Sequence, residues 1–148
     1  MSWLMPAQNV NPAPARLTRL RYAGGVPGIL VIEDDPVNQM ILADYLAANG
    51  YEMHRAANGV DGLALCARVN PVLVLIDVQL PGKNGFDVCR EIKAAQPTRP
   101  VLMMSAAYSR HDQFNRTGQL GVLADGYLAK PFDLQRLMAE VQRLIGGP

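Results

Sequence analysis

Ile29-Leu30-Val31-Ile32 runs straight into Glu33-Asp34-Asp35, and Val72-Leu73-Val74-Leu75-Ile76 stops on Asp77. Unbroken apolar runs of this length are the pattern of parallel strands buried on both faces. Two such runs ending on carboxylates imply a sheet whose C-terminal edge collects negative charge at one point. Carboxylates brought that close repel, and each becomes harder to ionise unless a cation lies between them. A hard, oxygen-preferring divalent ion such as Mg²⁺ suits that place. The strand ends therefore point to a metal-dependent phosphate site with Glu33, Asp34 and Asp77 as its acids.

Outward from these runs, strand and helix patterns alternate. A strand at 29–33 precedes a helix of about 37–49, where Val37, Ile41 and Tyr45 recur at four-residue spacing and Asn49-Gly50 supplies the stop. Tyr51 to Ala56 reads as a second strand. Asn58-Gly59 opens a helix carrying Val60, Leu63 and Ala67 on one face, ended by Asn70-Pro71. Strand 72–77 leads into Leu80-Pro81-Gly82-Lys83-Asn84-Gly85, rich in turn formers, then a helix of roughly 86–95 and a strand at 101–104. Residues 111–119 read as a fourth helix whose one large apolar residue is Phe114, so little anchors it. Gly126–Ala129 is the last strand, and Leu134, Leu137, Met138, Val141, Leu144 and Ile145 form an amphipathic stripe on a closing fifth helix. Short connections and right-handed crossovers predict an α/β fold: a doubly wound, five-stranded parallel sheet in the order 2-1-3-4-5. In that order strands 1 and 3 end side by side at the switch point, so Glu33, Asp34 and Asp77 meet in one crevice.

Composition narrows the function classes. The chain has 148 residues, 49% of them hydrophobic, enough for one compact domain with a sizeable core. A net charge of +1 with no Lys/Arg-rich patch argues against direct nucleic-acid binding. Arg16, Arg19 and Arg21 give residues 1–27 three positive charges and no acid, and the prolines there break any period. That segment reads as a flexible N-terminal tail or linker, with the folded domain over 28–148. Its Arg16–Tyr22 stretch is either a solvated linker or a docking segment. Cys66 and Cys89 fit buried, reduced thiols better than a disulfide or redox pair. No apolar run nears the roughly 20 residues that span a bilayer, and no signal-peptide order opens the chain. A soluble, cytoplasmic protein without membrane contact is expected.

With these motifs in this order, residues 29–145, about four-fifths of the chain, resemble the receiver domain of two-component response regulators, with its flavodoxin-like fold. The resemblance implies that Asp77 accepts a phosphoryl group, and that Glu33, Asp34 and Asp77 hold Mg²⁺ with the backbone carbonyl of Gln79. Ser105 matches the family's hydroxyl switch residue, Tyr127 the aromatic that swings inward, and Lys130 the family's lysine, followed by Pro131 across a cis bond. The implied donor is a histidine kinase or a histidine phosphotransfer protein, and the implied output is a partner protein bound through the face of helix 4, strand 5 and helix 5. Asp35-Pro36-Val37-Asn38-Gln39 resembles receivers of hybrid kinases and phosphorelays. The role implied is a signalling switch rather than an enzyme, either stand-alone or part of a longer protein.

The chemistry suits those roles. Attack by a carboxylate on phosphorus is nucleophilic catalysis, and the loose, highly charged transferring group needs mainly positioning and neutralisation. Plainer readings stand beside each assignment: Asp77 as a solvated strand-end acid, Ser105 as a cap, Tyr127 as a core ring, Lys130 as a surface lysine. Asp35, before Pro36, reads as the N-cap of the first helix and stays outside the metal shell. His54 and His111 lack ligand spacing, and Met103-Met104 reads as core. Two rival functions remain. A haloacid dehalogenase-like phosphohydrolase wants a second Asp two residues after its nucleophile, where Gln79 stands here. A receiver-like interaction module that takes no phosphate is the other.

Overall fold

The computed structural model describes residues 25–106 and 124–147. Five parallel strands, β1 (Gly28–Ile32), β2 (Glu52–Ala56), β3 (Leu73–Asp77), β4 (Val101–Ala106) and β5 (Gly126–Lys130), form one sheet in the order β2-β1-β3-β4-β5, as the sequence predicts. The helices described are α1 (Pro36–Ala48), α2 (Gly59–Val69), α3 (Gly85–Ala95) and a closing helix (Leu134–Ile145). The helix expected at 111–119 lies outside the described residues, as do most of residues 1–27. Pro27 already belongs to the fold, because its carbonyl accepts from Glu52 N at 3.0 Å.

Alternation along each strand splits the core into two layers. Ile29, Val31, Leu73, Leu75, Leu102, Met104 and Leu128 pack with α1 and the closing helix. Leu30, Ile32, Val74, Ile76, Val101 and Met103 pack with α2 and α3 on the other side. Both faces are covered, which is why the strands read as unbroken apolar runs. Met103 and Met104 are core residues, one in each layer.

The helix ends follow the residues that favour them. Asp35 caps α1 by accepting from Val37 N at 3.0 Å, with Pro36 in the first turn. Asn58 and Asn84 cap α2 and α3, and Asn70 ends α2 in the left-handed conformation at φ 53°. The expected helix faces need correction. Val37 and Ile41 are exposed on α1, and the buried set is Leu42, Ala43, Tyr45 and Leu46. Apolar residues lie nearly all round this helix, so four-residue spacing alone picks the wrong stripe. On α2, Val60 and Ala67 are exposed, Leu63 is half-buried, and the buried residues are Gly59, against Val88 and Lys83, Gly62, against Ile32 of the sheet, and Cys66. A Cβ on Gly62 would sit 2.4 Å from Ile32 Cδ1, so the contact is made by the absence of a side chain.

Candidate functional site

The register delivers the acids. Ile32 pairs with Ile76, so Glu33 and Asp77 occupy the next rung, side by side at the C-terminal edge. Glu33 and Asp77 are buried, whereas Asp34 is exposed, and carboxylate oxygens of all three lie within 4.8 Å of one another. Lys130 ends β5 and reaches across the crevice, donating to Asp77 Oδ2 at 2.8 Å and to Glu33 Oε1 at 3.0 Å. The Lys130–Pro131 bond is cis. An ordinary strand-end acid in solvent and a surface lysine are both excluded by this geometry.

The backbone pins the remaining oxygens. Gln79 N donates to Asp77 Oδ1 at 3.0 Å, and Asp35 N donates to Glu33 Oε2 at 3.2 Å. Glycine is required just beyond: a Cβ on Gly85 would lie 2.3 Å from Asp77 O and 2.8 Å from Val78 Cα, so the loop after β3 folds flat onto the end of that strand. Burial and the neighbouring Asp77 charge push the Glu33 carboxyl up to about 7, against the lowering effect of Lys130. Burial alone would lower the Lys130 ammonium, but its bonds to Asp77 and Glu33 outweigh that and raise it. The lysine is thus held charged between two acids that do not easily carry full charge together.

Three converging carboxylates of hard oxygen character suit a divalent cation such as Mg²⁺. Asp35 stays outside, engaged in capping. Beside Glu33 and Lys130 a groove of about 750 Å³ opens between α1 and the closing helix, with Ile41, Leu42, Phe132 and Leu134 in its walls.

Ser105 on β4 lies one position past the rung of Asp77, and Tyr127 on β5 one position before it. Ser105 is buried in β4, and its Oγ has no hydrogen-bond partner among the described residues. A buried hydroxyl left so is a group able to take an acceptor or donor. Tyr127 pairs with Met103 and packs half-buried against the α2–α3 layer, where burial raises its phenol. His54 lies beside Glu52 on β2, far in register from the acids, while His111 falls outside the described residues. Cys66 and Cys89 are buried free thiols, both pushed up by burial.

Sequence reasoning missed two anchors. Gln39 on α1 bonds the ends of β1 and β2. Arg99 is buried and bonds Pro71 O at 3.0 Å, Cys66 Sγ at 3.3 Å and Asn70 Oδ1, tying the end of α2 to the approach of β4. Neither residue type signals burial, and only the fold brings its acceptors near.

Fold and site together define a doubly wound α/β protein with an acidic crevice and a lysine at the switch point of its sheet. The chain belongs to the response regulator receiver domain family, whose model matches residues 29–142. It is similar to the DNA-binding dual master transcriptional regulator RpaA of Synechocystis, 34% identical over 122 residues, which cover 81% of this chain and 49% of that protein. It is also similar to response regulator MprA of Mycobacterium sp. (strain KMS), 36% identical over 117 residues, 79% of this chain and 50% of the relative. The chain thus spans about half the length of these curated relatives. Among solved structures it resembles response regulator protein TrrA of Thermotoga maritima, determined in complex with Mg²⁺-BeF, at 30% identity and a TM-score of 0.72, covering 80% of this chain and 99% of that one. Chemotaxis response regulator CheY4 of Vibrio cholerae, 24% identical with a TM-score of 0.72 over 81% of this chain and 99% of its own, shares the fold. Among the described residues no helix is long and apolar enough to cross a membrane.

Proposed function

We propose that this chain is a phosphorylatable switch of a two-component or phosphorelay system, with Asp77 as the acceptor. The observation that carries the reading is Lys130 Nζ within 3.0 Å of oxygens of both Asp77 and Glu33, beside the Asp34 carboxylate. A carboxylate oxygen of Asp77 attacks the phosphorus of a phosphohistidine. The P–N bond breaks, its electron pair returns to the imidazole, and an aspartyl-phosphate remains. Glu33, Asp34, Asp77 and the Gln79 carbonyl would hold Mg²⁺, which supplies Lewis-acid neutralisation of phosphoryl oxygens when bound. A family neighbour solved with Mg²⁺-BeF supports that ion.

The chain's own groups do the rest. Lys130 leaves Glu33 and follows the new charge, pairing Asp77 before transfer and a phosphoryl oxygen after it. The Ser105 hydroxyl, without a partner among the described residues, donates to another phosphoryl oxygen, and its movement vacates space for Tyr127. The changed face of helix 4, strand 5 and the closing helix then alters affinity for a partner protein, with a histidine kinase or histidine phosphotransfer protein as donor and the cytoplasm as the setting. Water later releases the phosphate, so the protein acts as a timer rather than as an enzyme turning over a substrate.

The test is labelling with acetyl phosphate and Mg²⁺, read by intact mass. One phosphoryl group per chain is expected, and none on Asp77→Asn, whose amide is a poor nucleophile. Full labelling of that variant, or continuous turnover of phosphate monoesters, would overturn the reading.

A further inference from the structure

Gln39 bears no charge, yet it ties the acidic turn to the end of β2. It stands in the first turns of α1, its own N–H donating to Asp35 O at 2.9 Å. Its side-chain nitrogen donates to Glu33 O at 3.0 Å and to Ala56 O at 3.0 Å. Both partners are carbonyl oxygens, so only the nitrogen end of the carboxamide can face them. Ala56 closes β2 and Glu33 follows β1, and the β1–β2 ladder ends where Glu33 N donates to Ala56 O at 3.0 Å. Gln39 therefore seals the ladder where the chain leaves the sheet.

The Glu33 carbonyl belongs to the planar peptide that leads into Asp34. Fixing that oxygen fixes the plane, and with it the direction in which the two consecutive carboxylates leave the backbone. We propose that Gln39 is a positioning residue for the acidic turn, its carboxamide locking the Glu33–Asp34 peptide so that both carboxylates face Asp77. The consequence for metal binding rests on the function proposed above; the positional claim rests on the hydrogen bonds alone.

Gln39→Met keeps length and loses both donors, and the half-buried position leaves room for it to fold. The whole chain, without phosphodonor, is titrated with Mg²⁺ and followed by amide NMR. In the variant the metal-free amides of Asp34 and Asp35 shift, and the Mg²⁺ dissociation constant rises about fivefold, the scale of one lost hydrogen bond. Asn49→Ala is the control, because it removes the Asn49 Nδ2 bond to Tyr45 O, 2.8 Å, at the other end of the same helix. It lowers the melting temperature and leaves Mg²⁺ affinity and both amides unmoved. Unchanged affinity in Gln39→Met, or the same rise in Asn49→Ala, would overturn the proposal. Should the unsubstituted chain take up no Mg²⁺, the metal reading fails, and the metal-free amides alone decide: shifted resonances support the lock and unshifted ones sink it.

Discussion

Lys130 stands between two buried carboxylates that it cannot satisfy equally. Its single positive charge faces Asp77 and Glu33 together, so one negative charge in the crevice lacks a partner when both acids ionise. Glu33 registers this imbalance, its carboxyl pushed up to about 7 from the usual 4.5 by burial and by Asp77. Because the folded state binds the Glu33 proton more tightly than the unfolded chain does, the associated stability is complete below the unfolded value. It is lost as pH rises through the folded one. The metal-free protein is therefore expected to lose about 3 kcal/mol between pH 4.5 and 7, relative to Glu33→Gln. Urea unfolding of both proteins across that range checks it; parallel stability curves would remove Glu33 as the source. Mg²⁺ at saturating concentration should restore the loss, since the cation supplies the missing charge.

At the scale of elements, the two outer helices teach different lessons about reading sequence. β1, β3 and β4 were plain from apolar runs, and Asp35, Asn58 and Asn70 marked helix ends because capping chemistry is local. The acids at strand ends were legible for the same reason: parallel order and register follow from alternation, and register alone brings Glu33 beside Asp77. Helix orientation was not. On α1, Val37-Ile41-Tyr45 and Leu42-Leu46 are equally regular stripes, and only contact with the sheet selects Leu42 and Leu46, keeps Tyr45 and leaves Val37 and Ile41 exposed. On α2 the close contacts are made at Gly62, against Ile32 of the sheet, and Gly59, against Val88 of α3, which a search for large apolar groups passes over. Gln39 and Arg99 stayed hidden because the fold alone brings Ala56 O to the one and Pro71 O to the other. The orientation of α1 has a direct check. Leu46→Ala should cost about 3 kcal/mol through lost burial and a cavity, whereas Val37→Ala should stay within about 0.5 kcal/mol. Urea midpoints reversing that order would mean the helix is rotated.

Across the whole molecule, the sheet separates two apolar layers, and the crevice is where an event can reach both. Glu33, Asp77 and Lys130 prolong the rows of Val31, Leu75 and Leu128, which belong to the layer of α1 and the closing helix. Ser105 and Tyr127 prolong the opposite row through Met103, by the alternation of β4 and β5. A phosphoryl group on Asp77 that drew on Lys130 and Ser105 together would therefore pull on both layers at once. Among the described residues the buried Ser105 hydroxyl has no partner, a cost of about 1–3 kcal/mol that a phosphoryl oxygen would relieve. That cost gives Ser105→Ala two opposite effects. Deleting an unsatisfied buried hydroxyl should leave unphosphorylated stability equal or raise it by about 1 kcal/mol, because nothing bonded is lost. The same deletion should slow labelling by acetyl phosphate and shrink the amide shifts that labelling induces around Tyr127, since the acceptor loses its donor on that side. Thermal melts and phosphorylation-dependent NMR of the one variant read both effects. A destabilised Ser105→Ala would mean the hydroxyl already has a partner at rest. Undiminished Tyr127 shifts would mean the two layers communicate by another route.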